Sequence, residues 1–147
     1  MLDDEASKAD FEVIWQWCQR FAREALADFG EICPFAANVN INGELIPFAV
    51  DMEERVPKAS DMMELLIRAA KNEAREERIR AFGLCFDATV NLPGQIERTD
   101  AIVCRVEHRD RDPLEVVLPY TLEDGWLECG ELKAGPARSR VFEAEPN

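Results

Sequence analysis

The chain has 147 residues, with 30 Asp or Glu against 17 Lys or Arg, and carries a formal net charge of −13 at pH 7. This length and the 47% share of hydrophobic residues predict one soluble domain, residues 1–147, with an ordered core over about 7–133. A loosely held tail is expected at 134–147, with local docking of Val141-Phe142 on the sheet as the alternative. The negative charge argues against nucleic acid or an anionic membrane surface as a partner, because both repel acidic proteins.

The first ten residues and the cysteines predict a cytoplasmic protein. Residues 1–10 carry acidic side chains where a secretory signal needs positive charge followed by an apolar run. No apolar stretch approaches the ~20 residues that a membrane-spanning helix needs. The five cysteines form no C-x-x-C pair and are interpreted as reduced, mostly buried thiols. They are Cys18, Cys33, Cys85, Cys104 and Cys129.

The first predicted element is an amphipathic helix from Ser7 to about Phe29. Apolar residues recur there at intervals of three and four, which is the spacing of one helix face. They are Phe11, Ile14, Trp15, Cys18, Phe21, Ala22, Ala25 and Phe29. Ser7 is the predicted N-cap, and Gly30 is the residue that ends the helix.

A β-hairpin is predicted next, because Asn42-Gly43 between two apolar segments is a strong signal for a two-residue turn. That turn fixes the register of the two strands. The predicted pairs are Val39 with Ile46, Ala37 with Phe48, and Phe35 with Val50. Pro47 cannot donate a ladder hydrogen bond, so the second strand is expected at a sheet edge.

The second predicted helix begins at Ser60, interpreted as its N-cap. Its apolar stripe consists of Met62, Met63, Leu66, Ile67, Ala70 and Ala74. The following run, residues 71–80, mixes acidic and basic side chains and is expected to face solvent.

Alternating patterns predict strands over residues 82–92, 102–109 and 114–122. Asp124-Gly125 then predicts a two-residue turn into a fourth strand, residues 126–132. This turn would pair Leu122 with Leu127 and Tyr120 with Cys129.

These elements predict a two-layer α+β domain of order α-β-β-α-β-β-β-β, with both helices on one face of a five- to six-stranded antiparallel sheet. The element order resembles that of profilin-like and roadblock folds. The chain also carries Pro34-Phe35-Ala36, Phe86-Asp87, the segment 100–109 with Glu107-His108-Arg109, Leu118-Pro119-Tyr120 and Val141-Phe142. In these motifs it is similar to a family of small, uncharacterised bacterial cytoplasmic proteins, a resemblance that implies no activity.

The sequence offers no recognisable catalytic, cofactor or metal motif. His108 is the single histidine, which excludes motifs with two histidine ligands. Neither a phosphate-binding glycine loop nor a G-x-S-x-G nucleophile turn is present. No catalytic residue, cofactor site or metal site is therefore predicted.

One polar group remains as a candidate interaction surface. If the central strands pair so that their apolar residues all face inward, charged residues gather on the outer face together with apolar neighbours. The predicted surface consists of Asp87, Arg105, Glu107, Arg109, Val103, Val117 and Trp126. Arginine and aromatic residues are enriched at interfaces, although cross-strand ion pairing in solvent is the favoured explanation of the charges.

Three functions remain open. The leading hypothesis is a non-catalytic protein-interaction or adaptor module, with self-association into a homodimer through that surface. The second is an acidic inhibitor or immunity-type protein that binds a basic partner by charge complementarity. The third is a small ligand-binding domain or enzyme whose pocket lies between helices and sheet. That pocket would be lined by Trp15, Phe21, His108 and Tyr120, with the last two side chains facing inward.

Overall fold

The computed structural model describes residues 4–49 and 58–142. The two helices are α1, Asp4–Phe29, and α2, Ala59–Arg75. The strands are β1, Phe35–Asn40; β2, Leu45–Phe48; β3, Ile79–Asn91; β4, Arg98–His108; β5, Arg111–Glu123; β6, Trp126–Cys129; and β7, Lys133–Pro136. The predicted α+β class and element order are confirmed, with more strands than expected.

One antiparallel sheet contains all the described strands, in the order β2-β1-β3-β4-β5-β6. Strand β7 also pairs with β5, along residues 114–117, while β6 pairs with residues 120–123. The two short strands therefore form one edge of the sheet together, and residues 130–132 separate them. At the opposite edge lies β2, as Pro47 predicts.

Helix α1 buries one face against the sheet. The buried residues recur at three- and four-residue intervals, as a single helix face requires. They are Phe11, Ile14, Cys18, Ala22 and Leu26. At the C-terminus, Gly30 adopts φ 76° and donates its N–H to the Leu26 carbonyl at 2.9 Å. Ser7 is not the N-cap, because it lies inside the helix with 1% of its surface exposed.

Helix α2 lies on the other face of the sheet from α1, so the predicted two-layer arrangement is wrong. Ala81 and Cys85 of β3 belong to the core under α1, the first core, whereas Phe82 and Leu84 belong to the core under α2, the second core. Adjacent residues of one strand point to opposite faces. The molecule therefore has three layers, helix, sheet and helix. Lys58 holds the N-cap position of α2, so Ser60 lies in its first turn.

The error has an identifiable physical cause. The prediction assigned one apolar face to each central strand, but β3 is buried from Ala81 to Phe86 and β4 from Ala101 to Cys104 on both faces. A strand covered on both sides has a continuous apolar run rather than alternation. The run Ala101-Ile102-Val103-Cys104 is such a signal.

The two predicted turns have different outcomes. The Asp124-Gly125 turn is confirmed, with Leu122 opposite Leu127 and Tyr120 opposite Cys129. The first hairpin is out of register by one residue, because its loop holds three residues, 41–43, and Val39 lies opposite Leu45. Gly43, at φ 86°, donates its N–H to the Asn40 carbonyl, which is typical of a turn followed by a bulge. Val50, the predicted partner of Phe35, lies outside the described residues.

The segment after β6 packs on the domain for most of its length. Strand β7 occupies residues 133–136, and Val141 is 5% exposed within the second core. The expectation of a loosely held tail from residue 134 is therefore wrong up to residue 142. Residues 143–147 lie outside the described residues.

Gly83 lets α1 approach β3 closely. A Cβ built on Gly83 would collide with Cγ2 of Ile14, which is fully buried. We expect Gly83→Ala to reduce the free energy of unfolding by about 1–3 kcal/mol, because an overpacked core must move its helix. Urea denaturation measures this loss. Gly135→Ala is the control, since no atom lies within 4 Å of that Cβ, and an equal loss in both variants would contradict the explanation.

Candidate functional site

The charged residues predicted to share one face lie on two. In the β3–β4 register, Asp87 pairs with Ile102 and Leu84 pairs with Arg105. Asp87 therefore lies on the α1 side of the sheet, whereas Arg105 and Glu107 lie on the α2 side. The predicted cluster of Asp87 with Arg105, Glu107 and Arg109 is wrong, because a register shift of one residue reverses every side chain.

The apolar members of the predicted surface are also separated. Val103 is 3% exposed within the second core, and Val117 packs against that core. Trp126 is 71% exposed on β6. Arg105 binds Glu115 on the neighbouring strand, with Nε 2.8 Å from Oε2. These residues form no continuous exposed patch, so the predicted interaction surface is wrong.

Glu107 holds the C-terminal segment against the sheet. Only 4% of its surface is exposed. Its Oε1 accepts the hydroxyl of Ser139 at 2.9 Å and the backbone N–H groups of Arg140, Val141 and Phe142 at 2.8, 2.9 and 3.3 Å. Hydrogen bonds from several N–H donors offset the free-energy cost of removing a carboxylate from water. Glu107 is thus a structural anchor and not part of an exposed site.

A second buried network joins α1 to the sheet. The Asp10 carboxylate accepts two hydrogen bonds from Arg80, at 2.9 and 3.0 Å, and one from Nε2 of His108 at 2.9 Å. The other ring nitrogen of His108 accepts the backbone N–H of Asp110 at 3.0 Å. Both ring nitrogens are therefore engaged within the fold, which leaves this histidine without the free nitrogen that a general base needs. Arg109 pairs with Asp110 at 3.5 Å.

The pocket predicted around Trp15, Phe21, His108 and Tyr120 is not formed by the described residues. Phe21 is 45% exposed. His108 lies against Phe11, with ring centroids 6.2 Å apart. The inward orientation predicted for His108 and Tyr120 is confirmed, since they are 3% and 6% exposed. Their side chains nevertheless serve separate contacts, so the predicted pocket is wrong.

Tyr120 donates its hydroxyl to Asp87 at 2.7 Å. Partial burial of the Asp87 carboxyl, together with repulsion from Asp100, raises its pKa, and the Tyr120 hydrogen bond opposes this rise. The folded protein therefore binds this proton more tightly than the unfolded chain. The resulting stabilisation is full below the unfolded pKa and is lost as the pH rises through the folded pKa.

We therefore expect Asp87→Asn to raise the Tm by about 1–2 °C at pH 7, because the neutral amide still accepts the Tyr120 hydrogen bond. The difference in Tm should narrow as the pH is lowered, because the wild-type carboxyl then becomes protonated. Calorimetry at a series of pH values from 7 downwards measures this difference. Asp28→Asn, at an exposed position of α1, should show no such trend, and a difference that widens at low pH would contradict the assignment.

Three of the thiols belong to the first core. Cys18, Cys85 and Cys104 are each fully buried, and all five cysteines are free. The neighbouring thiols of Cys18 and Cys85, and then burial, raise the pKa of Cys104 well above its usual value. A protonated, buried thiol is unreactive. The predicted packing role fits Cys85 and Cys104, whose pKa values are both raised. Hydrogen bonds with Cys104 and Cys85 lower the pKa of the Cys18 thiol to about 5, and Cys33 is exposed.

A pocket that the sequence does not predict lies beneath the β1–β2 hairpin, on the α2 side of the sheet. We call it the hairpin pocket; its volume is about 570 Å³. It is lined by Asn38, Asn40, Ile41, Asn42, Ile46, Phe48, Ala69, Glu73, Arg78 and Ile79. Ligand pockets commonly measure roughly 300–1,000 Å³ and combine apolar walls with a few polar groups.

Asn38 gives this pocket its one unusual feature. The residue is 7% exposed. Among the described residues, its Oδ1 is the one buried side-chain nitrogen or oxygen atom that has no hydrogen-bond partner. An unsatisfied buried acceptor costs about 1–3 kcal/mol. The sequence signal was weak: Asn38 is a polar residue between Ala37 and Val39 in an apolar strand.

The outer side of the hairpin is the exposed edge of the sheet. Ile41 and Ile46, which also line the hairpin pocket, are 50% and 47% exposed beside this edge, and β2 is the last strand in the order. Along the described chain, the outer edge of β2 therefore pairs with no strand. An open edge with exposed apolar side chains is a recognised site for adding a strand from another chain.

No protein-family model, curated protein or solved structure matches the chain. The family and fold resemblances therefore stay predictions. Within residues 4–49 and 58–142, no group of three or more His, Cys, Asp or Glu side chains could hold a metal ion. Neither described helix combines the length and apolar character that crossing a membrane requires.

Proposed function

We propose that this protein is a non-catalytic cytoplasmic module that binds another protein through the open edge of β2. One observation carries the proposal: the edge of β2 pairs with no further strand of the described chain, and the side chains of Ile41 and Ile46 beside it are half exposed. An incoming strand would extend the sheet by backbone hydrogen bonds, to which Pro47 contributes its carbonyl but no N–H, and would cover both side chains. The five free thiols are consistent with a reducing compartment.

The buried polar networks support a binding role over a catalytic one. The Asp10 network and the Glu107 anchor direct their hydrogen bonds inward, to α1 and to residues 139–142. Active sites instead keep a reactive group free to meet a substrate. The candidate function is therefore recognition by the edge of the sheet.

Charge favours a basic partner over a second copy of this chain. Each copy carries a net charge of −13, so two copies repel each other, whereas a segment rich in Lys and Arg is attracted. The proposal thus combines two hypotheses from the sequence: the protein is an interaction module, and its partner is basic, as for an acidic inhibitor or immunity-type protein. The homodimer expected at the sheet face loses its support, because Val103 lies in the second core.

Selection from a random peptide library, with the folded protein as bait, tests this proposal. We expect enriched peptides that alternate apolar residues with Lys or Arg, and we expect their affinity to fall at high salt. Ile46→Lys should weaken their binding at least about tenfold, because it removes an apolar contact and places a positive charge against a basic strand. Val13→Lys is the matched control, since Val13 of α1 is also 47% exposed.

The charge change is the same in both variants, so only position separates them. Peptides that bind the Ile46 and Val13 variants equally well would contradict the proposed edge. Failure to enrich any basic peptide over an unrelated acidic bait would contradict the proposed partner.

A further inference from the structure

The hairpin pocket joins two observations that arise independently. One is its shape, a cavity of about 570 Å³ between the hairpin and the C-terminal half of α2. The other is the buried Asn38 Oδ1, which accepts no hydrogen bond from the described residues. Native proteins leave few buried polar atoms unpaired, and those that remain often mark the place of a ligand or ordered water.

The walls of the pocket indicate what its ligand looks like. Ile46, Phe48, Ala69 and Ile79 supply apolar side chains from β2, α2 and β3. Such walls favour an aromatic or aliphatic group, because burying apolar surface stabilises the complex. The oxygen of Asn38 accepts hydrogen bonds only, so the ligand must bring an N–H or O–H donor.

The charged residues of the lining indicate that the ligand is uncharged. Glu73 and Arg78 line the pocket and bind each other through two hydrogen bonds, from Nε at 3.0 Å and from Nη2 at 3.1 Å. An ion pair that is already satisfied has little to offer a charged ligand. An ionic group would also lose its hydration on entering an apolar pocket.

We propose that the hairpin pocket is a binding site for a small, uncharged molecule with an aromatic or aliphatic body and one N–H or O–H donor, which bonds to Asn38 Oδ1. This inference goes beyond the proposed function, because its ligand is a free small molecule and its test needs no protein partner. Ile41 and Ile46 belong to both surfaces, but the two tests are separate: loss of indole binding with peptide binding kept contradicts the pocket alone, and the reverse contradicts the edge alone.

Indole and N-methylindole are suitable probes, because they share a shape and differ in the one N–H donor. We expect indole to shift the NMR signals of Asn38, Ala69 and Ile79 and to bind about tenfold more tightly than N-methylindole. In Asn38→Leu, which replaces the amide by an apolar group of similar size, the two probes should bind equally.

Asn91→Leu is the matched control, since Asn91 is an exposed asparagine of β3 outside this lining, and it should keep the preference for indole. Equal binding of the two probes to the wild-type protein would overturn the proposal without any variant, and so would shifts confined to another part of the molecule. A preference that survives Asn38→Leu in a folded variant would also overturn it. Binding of a tryptophan-containing peptide without binding of free indole would assign the pocket to a protein side chain instead.

Discussion

Replacing Asp10 by alanine is expected to lower the free energy of unfolding by about 3–5 kcal/mol. The Asp10 carboxylate accepts hydrogen bonds from Arg80, whose side chain is 17% exposed, and from His108, whose side chain is fully buried. Without the carboxylate, the guanidinium charge stays largely buried and unpaired, which is among the most destabilising changes in a protein. Urea denaturation followed by circular dichroism measures the loss.

Asp28→Ala serves as the control for this prediction. Asp28 lies on the same helix at an exposed position, and its replacement should change stability by at most about 0.5 kcal/mol. In the Asp10→Ala background, Arg80→Leu should restore part of the lost stability, because it removes the unpaired charge. Equal effects of Asp10→Ala and Asp28→Ala would show that the network contributes little.

Glu107→Ala is expected to release the C-terminal segment and to lower the free energy of unfolding by about 2–3 kcal/mol. Four donors from residues 139–142 converge on Oε1, and hydrogen bonds to charged groups contribute about 1.5–3 kcal/mol each. The total is smaller than their sum, because the released backbone N–H groups regain water. Val141 would also leave the second core, where it is 5% exposed.

Limited trypsin digestion provides a second measurement for this variant. Arg138 precedes the anchored residues and Arg140 is one of them, so cleavage there should be faster in Glu107→Ala than in the wild type. Glu115→Ala is the control, since Glu115 forms a partly exposed ion pair with Arg105 that contributes about 0–1 kcal/mol. Glu107→Gln keeps an acceptor oxygen and should lose less stability than Glu107→Ala. Unchanged digestion in Glu107→Ala would contradict the anchoring role.

Local sequence signals predicted the elements well, because they depend on neighbouring residues. The helix spacing of α1, the stop at Gly30 and the Asp124-Gly125 turn are all confirmed. The Asn42-Gly43 turn is in the right place, but one added loop residue changes the pairing. Asn40 explains the difference, since its side-chain oxygen accepts the N–H groups of Asn42 and Glu44.

Features that depend on distant contacts were not predictable in the same way. Asp10 is 70 residues from Arg80 and 98 from His108, and local pattern does not encode such pairings. Helix α2 can cover the second face of the sheet because both faces of β3 are apolar. A prediction that assumes alternation of apolar and polar residues along β3 assigns only one apolar face to this strand. The hairpin pocket lies between elements that only the fold brings together. Its one signal in the sequence is Asn38, a polar residue within an apolar strand.

Hydrogen–deuterium exchange of the protein with a basic peptide from the selection tests the binding surface most directly. The sheet has two edges, β2 on one side and β6 with β7 on the other. We predict that the peptide slows amide exchange in β2, where Leu45, Ile46 and Phe48 carry N–H groups and Pro47 does not, and leaves residues 126–136 unchanged, because an added strand protects the edge that it joins. Protection of residues 126–136, or of α1, without protection of β2 would contradict a binding surface at β2.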